Sequence, residues 1–259
     1  MTTSMIYLAG DVHGKFGHIL PAIVRSDPER KITQKAVIFL GDIEPKHRFG
    51  VEIRALVEAD IAVWFIHGNH DTDHSRTWDF LADSQHRNLH GRVVEICGLR
   101  VAGLGGIFRG EIWYPQHELG EPNFHTYREY EKKKRSWQRT RAGLDADDSM
   151  RESGVLLKHR SSIFHDEFMA LGSMNADILV THEAPNCHPH GFVAITELAQ
   201  AMRVRTLFHG HHHDNRDYRD YNDRHGFQSF GVGLRGIKDV DGNDILRGEL
   251  DDRRGYFGI

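Results

Sequence analysis

Cysteine is nearly absent from this 259-residue chain: Cys97 and Cys187 are the only two. Two thiols cannot build a disulfide framework, which excludes the small stapled secreted folds and fits a reducing compartment. A single bond joining them is the less favoured alternative. No apolar run approaches the ~20 residues of a membrane-spanning helix. The N-terminal stretch has no charged-then-apolar signal pattern. A cytoplasmic protein without a membrane partner is therefore expected. A large charge imbalance is also missing. The 33 Lys and Arg against 37 Asp and Glu give a net charge of −4, which excludes a wholly basic nucleic-acid clamp. Proline is sparse, no Pro/Gly/Ser-rich linker divides the chain, and no internal repeat is visible. One domain over 1–259 is the expectation.

Histidine is what the chain has in quantity, with 20 residues. The densest stretch is Phe208-His209-Gly210-His211-His212-His213-Asp214, just past a short apolar run. Neutral imidazole is a common metal ligand, so a histidine cluster at a strand end is a candidate metal site. A surface loop that happens to be rich in histidine is the competing reading. The choice depends on whether ligand types recur at other strand ends.

They do. Apolar runs at 5–9, 36–40 and 61–66 read as buried strands, separated by helical patterns at 16–25 and 51–58. Each strand ends in a polar, glycine-containing loop, which argues for parallel βαβ units with functional loops at the strand carboxyl ends. A hairpin is predicted over 93–104. A long polar segment at 107–160 then interrupts the alternation, as an inserted cap would. A helix over 161–171, a strand at 178–180, a helix at 192–202 and a strand at 205–208 follow. Residues 218–222 and 227–232 read as antiparallel strands around a turn at 223–226, with a last strand at 245–250.

Five strand ends carry ligand-type residues: Asp11 and His13, Asp42, Asn69 and His70, His182, and His211 and His213. That set exceeds one tetrahedral site and suits two divalent ions sharing a carboxylate. Mixed oxygen and nitrogen donors without thiolate favour Mn, with Fe, Zn, Ni or Co as alternatives.

The ordered series Asp11-Val12-His13, Gly41-Asp42, Gly68-Asn69-His70-Asp71, Thr181-His182 and Gly210-His211-His212-His213 resembles the calcineurin-like metallophosphoesterase superfamily. The resemblance implies an α/β fold: a two-sheet β-sandwich flanked by helices in α/β/β/α layers, with the mainly helical cap at 107–160 inserted. It implies one metal on Asp11, His13, Asp42 and His213, and a second on Asp42, Asn69, His182 and His211. A water or hydroxide between the ions is the implied nucleophile, and His70 protonates the leaving oxygen. The implied activity is hydrolysis of a small or nucleotide-like phosphate ester. The alternatives are a nuclease or phosphodiesterase, and a nucleic-acid or protein-binding module with a vestigial metal site.

One departure stands out. Phosphoprotein phosphatases continue the second motif as Gly-Asp-x-Val-Asp-Arg-Gly, whereas this chain reads Gly41-Asp42-Ile43-Glu44-Pro45-Lys46-His47. The aspartate that would orient the acid histidine is missing. Glu44 is a candidate substitute, and a solvated loop glutamate is as good a reading. Arg109, shortly after Gly105-Gly106, is a candidate phosphate clamp or else a solvent-facing residue. His188 and His190 are candidates for the site mouth or for a plain surface loop. The stretch 124–141 mixes Phe124, Tyr127, Tyr130 and Trp137 with Lys132-Lys133-Lys134-Arg135. That composition suits nucleic-acid stacking. A helix packing its aromatics on the body, with its lysines solvated, is preferred. The acidic run 145–148 that follows reads as a loop. For His212 an outward direction is expected, because i, i+2 spacing in an extended run puts His211 and His213 on one side. His209 reads as structural.

Overall fold

A computed structural model describes residues 3–142, 154–216 and 218–251, with side chains at 137–142 excluded. The acidic run at 145–148 and the side chain of Trp137 therefore lie outside the described residues. Its first half contains β1 (Ser4–Ala9), α1 (Ile19–Ser26), β2 (Gln34–Leu40), α2 (Phe49–Glu52), α3 (Arg54–Glu58), β3 (Ile61–Ile66), α4 (Ser75–Ala82), β4 (Arg92–Ile96) and β5 (Leu99–Leu104). Then come α5 (Tyr127–Ala142), α6 (Gly154–Lys158), α7 (His165–Gly172), β6 (Ile178–Thr181), α8 (Val193–Ala201), β7 (Thr206–His209), α9 (Asn222–His225), β8 (Gln228–Gly231), β9 (Ile237–Asp239) and β10 (Asp244–Leu246).

The strands form two five-stranded sheets, ordered β10-β9-β1-β2-β3 and β4-β5-β6-β7-β8. Strands β1, β2 and β3 are parallel, as are β5 to β8, and the antiparallel pairings are β1 with β9, β9 with β10, and β4 with β5. Period-two alternation sorts each strand between two environments. Ile6, Leu8, Ile38 and Leu40 meet Val101, Ile178, Val180 and Phe208 between the sheets. Tyr7, Val37, Phe39 and Phe65 turn outward onto Ile19, Ile23, Phe49 and Leu56 of the first helices. On the far side, Leu104, Leu179 and Leu207 pack against Phe168, Leu171, Ile195 and Leu198 of α7 and α8. The result is the four-layer sandwich, helix–sheet–sheet–helix. Each fully buried aliphatic or aromatic side chain contributes roughly 1.5–3 kcal/mol.

The described part of the 107–160 segment lies over the second sheet: Phe124, Tyr130 and Leu156 join the outer core with Phe108 and Trp113. Three cations of α5, Lys133, Lys134 and Arg135, are engaged within the chain. Lys134 Nζ is 2.6 Å from Glu111, and Lys133 lies 5.1 Å over the Phe124 ring. The rings of Phe124 and Tyr130 are thus spent on packing and not offered for base stacking.

Some elements differ from expectation. The helix at 51–58 is two short helices broken at Ile53, and the helix before β6 starts at His165, after a 3₁₀ turn over His159–Ser161. The larger correction is at 218–232. Residues 219–225 are helical, closed by Gly226 in the left-handed conformation at φ 78°, a standard glycine helix end. Tyr218, Tyr221 and His225 recur at intervals of three and four, a helical spacing, and the rings of Tyr221 and His225 lie 5.6 Å apart. Only 228–231 is a strand there, and it runs parallel to β7. The strand expected at 245–250 is short and pairs with β9, which spans three residues.

Candidate metal centre

Parallel register aligns the carboxyl ends of β1, β2 and β3 on one sheet and of β6 and β7 on the other. All five motif loops therefore emerge at one edge of the sandwich. Among the described residues, eleven non-glycine residues have positive φ, and six of them are here: Asp11, His13, Asp42, Glu44, His211 and His213. Such backbone costs on the order of 1–3 kcal/mol per residue and persists only where surrounding contacts over-determine it.

Those contacts are specific. Asp71, fully buried, accepts the Ile43 and Glu44 N–H groups on one oxygen and the Gly68 N–H on the other, each at 2.8 Å. It ties the β2 loop to the β3 loop. Asp42 Oδ1 accepts the His70 N–H at 2.8 Å. Gly68 must lack a side chain, because a Cβ there would collide with the Asp42 carboxylate and backbone and with the His182 ring.

Donor atoms converge in two trios. His13, Asp42 and His213 each offer one ligand atom, all within 4.8 Å of one another, and so do Asp42, His182 and His211. Asp42 belongs to both. His13 donates Nδ1–H to Glu44 Oε2 at 2.9 Å, and its Nε2 lies 3.2 Å from His213 Nε2. His182 donates Nδ1–H to the Leu40 carbonyl at 2.8 Å. Its Nε2 faces two acceptors, Asn69 Oδ1 at 3.1 Å and Asp42 Oδ2 at 3.5 Å. Ring nitrogens this close to one another and to oxygens need a proton or a metal ion between them. In both histidines the second ring nitrogen is fixed by an oxygen acceptor, the usual arrangement behind a metal-ligating imidazole. The donor set of imidazole, carboxylate and amide oxygen thus fits two divalent ions.

The electrostatics agree. Burial opposes a charge on His182, but the Asp42 and Asp11 carboxylates outweigh it and hold its pKa up at about 10. Burial likewise opposes ionisation of Asp42, yet His182 beside it holds that carboxyl below the usual carboxylate range. Burial pushes Asp11 up to about 7 and His211 down to about 3. Buried carboxylates and imidazoles this close need a shared cation, whether proton or metal.

Other expected residues take distinct places. Asp11 joins neither trio; it accepts the His211 N–H at 3.0 Å and sits 3.7 Å from His182 Nδ1. His70 stands at the exposed rim, with Nδ1 2.7 Å from Asp73 Oδ2 and its ring 5.8 Å from that of His13. Glu44 lies near His70 but bonds His13. The Arg109 fork is occupied, with Nη1 on the Ser161 carbonyl at 2.7 Å and on Ser162 Oγ at 3.0 Å. His190 is exposed, and His188 is buried against Asp214 at 3.3 Å. Residues 211–213 are not extended, since His211 and His213 have φ of 68° and 56°. The bend still sends their rings to different Asp42-containing trios, while His212 stacks on His188 with ring centres 3.8 Å apart and groups only with His211 and Glu183. His209 is buried, donates or accepts at Tyr218 Oη at 3.1 Å, and is pushed down to about 4 by burial.

Three residues were not singled out from the sequence. Asp73 sits three positions after His70, a spacing that a helical turn brings together and that was available as a signal. Asp71 gives no signal beyond its place in the motif. Glu183, buried and accepting the Phe108 N–H at 3.0 Å, is pushed up to about 7 by that burial.

Comparison with known proteins agrees with this geometry. The calcineurin-like phosphoesterase family matches residues 4–215. A Haemophilus influenzae protein described as uncharacterized is 39% identical over 254 residues, covering 96% of this chain and 99% of that one. The crystal structure of TT1561 of Thermus thermophilus superposes with a TM-score of 0.50 at 14% identity, covering 94% of this chain and all of the other, a likeness of fold. The chain belongs to the calcineurin-like phosphoesterase family, whose members hydrolyse phosphoester bonds with divalent metal.

Proposed function

We propose that the protein hydrolyses a small or nucleotide-like phosphate ester at a centre of two divalent ions, with manganese the preferred metal. Asp11, His13, Asp42 and His213 would hold one ion, and Asp42, Asn69, His182 and His211 the other. The observation that carries this reading is Asp42, the one carboxylate common to both donor trios. When bound, the ions supply Lewis-acid polarisation of the phosphate and a water acidified towards neutrality. Asp42 orients the acid loop by accepting the His70 N–H. Asn69 adds a donor without adding charge, so two aspartates leave the centre positive towards an anion. Glu44 and the Leu40 carbonyl fix the ring orientations of His13 and His182. His70, its imidazolium supported by Asp73, presents its Nε2 proton to the leaving oxygen.

A cytoplasmic setting is part of the same reading. It is supported by the free thiols of Cys97 and Cys187, and no helix among the described residues is long and apolar enough to cross a membrane. The test is a panel of phosphomonoesters, phosphodiesters, nucleotides and phosphopeptides assayed with metal-stripped and Mn²⁺-reloaded protein. Hydrolysis only after reloading is expected. Full activity in the stripped protein, or no hydrolysis of any ester, contradicts the reading.

A further inference from the structure

A cavity of about 640 Å³ opens beside His70, lined also by Glu44, Lys46, His74, Arg76 and Phe80. This volume is within the range of small-molecule sites. Because His70 faces it, the group that receives the His70 proton must extend into it. The wall is positive. Glu44 is committed to His13, while neither Lys46 nor Arg76 makes an ion pair with a carboxylate among the described residues. The loop that carries Lys46 is fixed: Glu52 Oε1 accepts the backbone N–H groups of Lys46 and His47 at 3.1 and 2.9 Å. The Lys46 stem crosses Gly14, where a Cβ would stand 3.3 Å from Lys46 Cε. This brings the ammonium beside the Asp11–Gly14 loop. The Arg76 guanidinium lies 5.2 Å over the Phe80 ring. Arg76 belongs to the first turn of α4, which no side chain caps, so that end of the helix adds its own positive field.

We propose that this cavity is a leaving-group subsite for a second phosphoryl group, making the substrate a nucleoside diphosphate or a closely similar diphosphate ester. The inference rests on the phosphoesterase reading above and adds the substrate class. The terminal phosphate occupies the metal centre. The adjoining phosphate is held by Lys46 and Arg76, whose guanidinium suits phosphate oxygens, and the nucleoside lies toward Phe80. In the step, a water oxygen bonds to the terminal phosphorus as the bridging P–O bond breaks. The electron pair stays on the bridging oxygen, which takes the His70 Nε2 proton. One water proton passes to solvent, and the products are orthophosphate and the monophosphate.

The experiment compares kcat/KM for a nucleoside diphosphate and for p-nitrophenyl phosphate, in Mn²⁺-loaded wild type and in the Lys46→Ala/Arg76→Ala double variant. Calorimetric binding of inorganic pyrophosphate is measured alongside. Wild type is expected to favour the diphosphate by about tenfold or more. In the variant that preference should fall by about the same factor, through KM, and pyrophosphate should bind correspondingly more weakly. No preference in wild type, a preference unchanged in the variant, or unchanged pyrophosphate affinity would overturn the subsite. Hydrolysis of neither substrate by wild type would count against the phosphoesterase reading itself, and pyrophosphate affinity then decides the subsite alone.

Discussion

His70 Nδ1 lies 2.7 Å from Asp73 Oδ2, whereas Glu44, the carboxylate expected to serve His70, bonds His13 at 2.9 Å. The two acids therefore have separable roles. Asp73→Asn should lower kcat by about 10–100-fold, and more for alkyl than for aryl phosphates, whose leaving groups need less protonation. Glu44→Gln should instead weaken metal affinity by about 10-fold or more. Steady-state kinetics across leaving groups and metal titration check both. Interchanged phenotypes would contradict the assignment.

The histidines at 211–213 divide by direction. His211→Ala and His213→Ala should each lose bound metal, because each ring belongs to a donor trio that contains Asp42, which His212 does not. His212→Ala should retain it, since that ring stacks on His188. Elemental analysis of the three purified variants is the check, and equal loss in all three would refute the division.

Gly68→Ala should be far more harmful than its size suggests. The added methyl would enter the space of Asp42 and His182. Loss of activity by about 100-fold or more is expected, with the far-ultraviolet circular dichroism of wild type preserved. Near-normal activity would show that the loop yields easily.

Arg109→Ala should act on stability. Its guanidinium holds the Ser161 carbonyl and the Ser162 hydroxyl, and burial pushes its pKa down to about 10. Losing those charge-assisted bonds should cost about 1.5–3 kcal/mol in denaturant unfolding. A raised KM with unchanged stability would restore the role of substrate clamp.

His159 supplies a pH dependence. It is buried between Ser162 Oγ at 2.8 Å and Glu111 at 3.1 Å, and burial lowers its pKa below the ordinary value. The fold thus prefers the neutral ring. Its contribution is complete above the unfolded value near 6.5 and is lost as pH falls from there toward the folded value. The unfolding midpoint of wild type should drop, as pH falls below the unfolded value near 6.5, by more than that of His159→Gln. Parallel curves would remove His159 as a cause.

The central strands were legible because buried parallel strands are short, unbroken apolar runs, and those of β1, β2 and β3 end abruptly in Gly-Asp or His-Gly-Asn. The donor list was legible for the same reason, since each ligand type follows such a run. The C-terminal part was not. Tyr218, Tyr221 and Phe227 read as strand residues by type, and only their spacing, decided by contacts with His209 and His225, makes that stretch helical. The Asp73 contact depends on the 3₁₀ turn after Asn69, which brings residues three apart together and lies outside the second motif. Backbone strain at Asp11, His13 and Asp42 has no sequence signature, because it is imposed by latches such as Asp71.

The bridging role of Asp42 is tested most directly by counting divalent ions bound per chain at saturating Mn²⁺, in wild type and in Asp42→Asn. Two ions in wild type, and fewer than one tightly held in the variant, are the predicted result. Two ions retained by Asp42→Asn, or a single ion in wild type, would contradict it.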